Sequence, residues 1–173
     1  PDTEEIRLKG EFKLPGLSES MNLEGLALIE SNGVLKVFYG DRGSDSRPST
    51  LFFADYNVKQ NDITVVRSYS FSLLESMSDK RNIADLVFDR KGNLWSAATS
   101  DPGNDGPFET KLFRVGKMSK QGSFSLTRPM KSSKTFENEK VEAMTIFKNG
   151  ILLLTDNENL GSSRYFIRIN KLL

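Results

Sequence analysis

Three times in this chain an apolar run enters a glycine-bearing turn and leaves it as a second apolar run. The instances are residues 22–43 (NLEGLALIESNGVLKVFYGDRG), 82–101 (NIADLVFDRKGNLWSAATSD) and 141–159 (VEAMTIFKNGILLLTDNEN). Short apolar runs flanking Asn-Gly or Lys-Gly are hairpin grammar, because the turn needs residues that accept positive φ. The turn glycines Gly33, Gly92 and Gly150 recur at about 59 residues. That period exceeds the common solenoid repeats and falls in the range of a propeller blade once loops are added.

The segments between the hairpins supply further strands. The first repeat, residues 22–71, reads as strands at 23–29, 34–39, 50–56 and 63–71, rich in β-branched and aromatic residues. The second, 82–128, reads as strands at 83–88, 94–99, 111–115 and 124–127. The third, 140–170, supplies 141–146, 151–155 and 164–170. Residues 73–80 could make one helical turn, and helical periodicity is otherwise missing. The expected fold is all-β. It is a β-propeller made of three four-stranded antiparallel repeats, half of a six-bladed ring, with the N-terminal strand 5–14 (EIRLKGEFKL) completing the last blade. A β-sandwich with accidental repeats is the competing fold. Three blades alone leave apolar faces on the first and last blade. The expected partner is therefore a second copy of the chain, or the remainder of a longer propeller chain.

Composition narrows the chemistry. The chain has no Cys and no His, which removes disulfides, thiolate or imidazole metal sites, and Ser-His-Asp catalysis. Lys plus Arg is 24 against 23 for Asp plus Glu, so no net field favours nucleic acid or an anionic membrane, and neither is an expected partner. No apolar run is long enough for a membrane-spanning helix.

Chemistry is left to carboxylates, hydroxyls, Lys and Arg, or a hard cation. In blade topology the entry to each first strand and the loop after each second strand share one mouth. The entries carry Glu24, Asp85 and Glu142, with Asp85 displaced by one residue from the other two; the loops carry Asp41, Asp45, Asp101, Asn104, Asp105, Asp156 and Glu158. Gathered carboxylates repel one another, and Ca²⁺ relieves such repulsion with six to eight oxygen ligands. The expected metal set is Glu24, Asp41, Asp85, Glu142 and Asp156. The expected ligand-binding set is Arg42, Asp101, Asp105, Glu158 and Arg164. Asp, Asn and Gly also populate such loops simply because they bend and cap the backbone. Trp95, Tyr39, Tyr56 and Tyr165 read as core, and Lys117, Lys120, Arg128, Lys131 and Lys134 as a solvated outer edge.

The segments LEGLAL, VEAMTI, LLLTDNENLGSS and FDRKGNLW resemble the bacterial β-propellers of the esterase-like phytase and SdiA-regulated type, and more distantly the gluconolactonase type. The resemblance implies a full ring, and an acid at the start of an inner strand, here Glu24 or Glu142, that helps bind a divalent metal. The basic phosphate-binding set of true phytases has no match here residue by residue. Two functions follow as expectations. One is a calcium-dependent hydrolase or binding protein for a small polar or phosphorylated ligand, with Glu24 or Glu142 as ligand or base. The other is a non-catalytic propeller that presents loops to a protein or glycan. A periplasmic or secreted location is expected.

Overall fold

The hairpin at Asn32-Gly33 forms as its chemistry demands. In the computed structural model, which describes residues 11–172, β1 (Leu23–Ser31) pairs antiparallel with β2 (Val34–Asp41). The two turn residues sit at φ 54° and 73°, the left-handed conformations whose twist matches that of the flanking strands. The meander continues through β3 (Ser49–Asn57) and β4 (Asp62–Phe71) to give a four-stranded sheet in the order β1-β2-β3-β4.

The second sheet is built on β7 (Asn93–Ser100) and β8 (Glu109–Met118). On one side β7 pairs with both β5 (Lys80–Arg81) and β6 (Leu86–Phe88); on the other, β8 pairs with both β9 (Phe124–Leu126) and β10 (Ser132–Glu137). Each flanking position that the sequence assigns to one strand is thus shared by two short ones. The stretch 73–80, which could have made one helical turn, is loop up to Asp79 and enters β5 at Lys80, with Leu73 and Met77 buried. The β6–β7 turn is organised by Asp89. Its carboxylate accepts the backbone N–H of Lys91 (2.8 Å) and Asn93 (3.0 Å), the Asn93 amide (2.7 Å) and the Trp95 indole N–H (3.0 Å). Burial pushes this carboxyl up, but these donors outweigh it and hold it below its ordinary value.

The third sheet comprises β11 (Val141–Phe147), β12 (Gly150–Thr155) and β13 (Arg164–Arg168). Its turn departs from the expected Asn-Gly pair. Phe147 pairs with Gly150, so Lys148 and Asn149 are the turn residues and Lys148 takes φ 52°. Gly150 lies in the strand. The last strand stops at Arg168 and gives way to a single 3-10 turn, Ile169–Lys171. The chain is therefore all-β, with three antiparallel sheets.

The sheets stack in chain order. Phe38, Leu51 and Phe53 of the first pack on Leu94, Phe113 and Val115 of the second. Trp95 and Leu112 on the second sheet's other face meet Met144, Ile151 and Leu153 of the third. The strands β1, β6 and β11 are successive neighbours along this stack. Trp95 and Tyr39 are core, as their apolar surroundings predict; the Tyr39 hydroxyl donates to the Pro15 carbonyl (2.7 Å), and burial raises the phenol to about 12.

The closing strand expected at residues 5–14 lies outside the described residues over 5–10. Residues 11–14 carry no strand pairing. They lie on the first sheet rather than the third: Phe12 packs against Tyr56 in a tilted pair with centroids 5.5 Å apart, and Leu14 joins the Val37, Tyr39 and Phe52 cluster. Pro15-Gly16 turns the chain there, and the Tyr39 hydroxyl bond fixes the turn to the sheet.

Candidate functional site

β1 and β11 each carry a β-bulge at their entry with an acid in it, and an acid also stands just before β6. In the first sheet Leu23 faces Asp41 and Gly25 faces Gly40, so Glu24 is the extra residue. In the third, Val141 faces Thr155 and Ala143 faces Leu154, which leaves Glu142 extra. In the second, the Ala84 N–H bonds to the Ala97 carbonyl (2.9 Å) while Leu86 faces Ser96, which leaves Asp85 extra. A bulged residue is unpaired in the ladder, and bulges re-aim side chains at sheet rims. The one-residue displacement of Asp85, which would turn an unbulged strand over, is absorbed this way.

The three acids meet different partners. Glu24 accepts from the Arg42 guanidinium at 3.0 Å. Asp85 accepts the backbone N–H of Leu86 (2.7 Å) and, across to the third sheet, of Met144 (2.6 Å). Burial nevertheless leaves its carboxyl above the ordinary value. Glu142 lies 3.3 Å from Lys140. Burial pushes the Glu142 carboxyl up, Lys140 pulls it down, and the charge on Glu24 adds to the rise. The two bulged glutamates therefore share one field, although they belong to sheets at opposite ends of the stack.

The centre of this acidic cluster is Lys140, a residue that sequence reasoning missed. It is buried, and its ammonium meets Asp101 (3.3 Å), Glu142 and Glu158. Burial pulls its pKa down, but Glu158, Glu142 and Asp101 outweigh burial and hold it above the ordinary value. The backbone supports it: the Lys140 N–H donates to the Asn157 side chain (2.8 Å), and the Asn157 amide donates to Glu139 (2.7 Å). Glu139 also accepts the Tyr165 hydroxyl. Arg81, likewise missed, bridges to Asp101 at 2.6 Å. The available signal was the alternation Glu139-Lys140-Val141-Glu142 at a strand entry, where a cation between acids has partners on both sides.

The remaining candidates are placed as follows. Asp41 is buried and accepts the Asn22 N–H (2.9 Å) and the Arg47 guanidinium. Burial pushes its carboxyl up, and Arg47 with the Asn22 N–H brings it below the ordinary value. Asp45 caps the Lys80 N–H at 2.7 Å. Asp105 is exposed and accepts the Asn159 amide (2.9 Å); Asp156 is exposed and accepts the Glu158 N–H (3.2 Å). Arg164 starts β13 opposite Leu154 and is exposed. Arg42 and Asp101 come together in a cleft of about 270 Å³ with Asp45, Asp79, Lys80 and Arg81. Among the described residues no three acids converge in a way that could hold a metal ion. Compared with protein-family models, curated proteins and solved structures, the chain finds no match.

Proposed function

We propose that the three sheets are consecutive blades of a β-propeller, and that the chain is a non-catalytic scaffold presenting its mouth loops to a protein or glycan. Three antiparallel meanders, first strands that neighbour one another in chain order, and a bulge at the same point of the first and third sheets support the blade reading. The observation that carries the functional reading is the pairing at the mouth. Glu24, Asp41, Asp101, Glu142 and Glu158 each meet a Lys or Arg of the same chain, and Asp85 meets two backbone N–H groups. Carboxylates neutralised in this way are structural: Lys140–Asp101 and Met144–Asp85 join the second sheet to the third, and the other pairs hold loops within one sheet. They leave the loops around Asp45, Asp105 and Asn159 as the polar surface a partner would touch.

The competing reading is a calcium-dependent hydrolase for a small polar ligand, and the raised carboxyls of Asp85 and Glu142 favour it. Thermal melting in millimolar Ca²⁺ and in EGTA separates the two. We expect coincident curves for the parent. A native-only site held at about a hundred times its dissociation constant would add roughly 2.7 kcal/mol, and such a calcium-dependent rise would replace the scaffold reading with the metal one. Lys140→Met should cost on the order of 3 kcal/mol in denaturant titration, because it strands partly buried acids. An unchanged midpoint would show that the Lys140 network does not hold the blades together.

A further inference from the structure

Both ends of the stack present apolar side chains to solvent. On the first sheet these are Leu26 (58% exposed) and Leu28 (53%), which with Phe12, Leu35 and Tyr56 line a groove of about 420 Å³. On the third they are Phe147 (49%), Leu154 (47%) and Phe166 (45%).

The repeat relates these two faces to buried ones. Aligned on their bulged glutamates, β1 and β11 match Leu26 to Met144, Leu28 to Ile146 and Ala27 to Thr145. Met144 and Ile146 pack on the second sheet, whereas Leu26 and Leu28 are open. Ala27 packs on the second sheet, whereas Thr145 and its same-face neighbour Phe147 are open. The open face of the first sheet is thus the counterpart of a face that is buried in the third, and the reverse also holds. That is the relation of successive blades around an axis.

Their charges are complementary as well. The open face of the third sheet carries Arg164 and Arg168, with Lys148 at its turn end over the Phe147 ring (5.2 Å). The open face of the first carries Glu30 beside Leu28, also at the turn end of its sheet.

We propose that a second copy of this chain docks head to tail, the third sheet of each copy against the first sheet of the other, so that two copies close a six-sheet ring. The proposal rests on the blade reading above. Six is the only multiple of three within the four to eight blades that propellers typically use, and a head-to-tail contact closes into a ring when its rotation allows. The ring would set two sets of Glu24, Asp85 and Glu142 around one axis.

Multi-angle light scattering on the whole chain tests this. The expected mass is twice the 19.4 kDa of one chain. Leu28→Asp and Leu154→Asp replace side chains that are exposed in the single chain, so each should leave folding intact, checked by circular dichroism, and shift the mass to monomer. Glu30→Arg should weaken dimerisation about tenfold, and adding Arg168→Glu should recover most of that loss. A monomer across the micromolar range, open-ended polymers, or a dimer indifferent to Leu28→Asp and Leu154→Asp would each overturn the proposal. The scaffold reading has its own readout in the Ca²⁺ and EGTA melts and can stand if this one falls.

Discussion

Asp89 shows how much one side chain can organise. Both of its oxygens act only as acceptors, and four N–H groups converge on them. Asp89→Asn is therefore not conservative. Its amide would set a donor against the Asn93 amide and the Trp95 indole, stranding buried donors at about 1–3 kcal/mol each. We expect a loss of roughly 3 kcal/mol in urea titration. Trp95 is the only tryptophan, so its fluorescence follows both the transition and the lost indole bond. The turn itself was legible in FDRKGNLW, but its four-donor carboxylate was not, because Asn93 and Trp95 reach it only once β7 has formed. For Lys140 the sequence held only the neighbouring acids Glu139 and Glu142 as a signal. Its partners Asp101 and Glu158 lie in loops of two different repeats, and only the stacking of the sheets brings them to one ammonium.

At the scale of elements, the hairpins divide cleanly. Asn32-Gly33 was legible because both turn residues tolerate positive φ. In the third hairpin the pairing slides by one residue, and Gly150 has another task. A Cβ there would meet the Ile167 carbonyl oxygen and come within 2.5 Å of the Phe166 ring, so the glycine lets β13 lie close against β12. Gly150→Ala should cost about 1–3 kcal/mol through overpacking. Gly33→Ala, at φ 73° with nothing within 4 Å, should cost about 1 kcal/mol through backbone strain alone. Thermal melts of the two variants should rank them in that order, and equal losses would mean β13 gives way freely. The strand β10 escaped sequence reading because SSKTFE buries only Phe136, the polar profile of an edge strand. β5 has two residues and no pattern to detect.

For the molecule as a whole, the titrating groups oppose one another. Asp41, Asp89 and Glu75, the last against burial by accepting the Ser132 N–H and hydroxyl (2.8 and 3.0 Å), are held below their ordinary values, so their stabilisation is present above about pH 4 and is lost as pH falls through their folded values. Asp85 and Glu142 lie above theirs; their contribution is present below about pH 4 and is lost as pH rises through their folded values. Lys140, raised, contributes below about pH 10.4 and loses that contribution as pH climbs through its folded value. Asp85→Asn removes the charge but keeps one acceptor oxygen, so one of the Leu86 and Met144 N–H groups, which bond to different oxygens of Asp85, loses its partner. Its melting temperature should lie below the parent's at about pH 4, and the deficit should shrink towards neutrality, because only the parent loses the contribution of a raised carboxyl. A deficit that grows between about pH 4 and pH 7 would mean that the charge on Asp85 stabilises the fold. The three-sheet order was legible from the repeat, whereas the direction of each mouth acid depended on bulges that no local pattern announces. Those bulges have a further consequence. The bulged residue has no partner in the ladder, so the alternation that stacks the sheets does not depend on which side chain it carries. Exchange of Glu24 or Glu142 thus alters the charge of the rim and its pairing with Arg42 or Lys140 without moving the strand register, whereas Asp85, bonded across to Met144, is tied to the stacking itself.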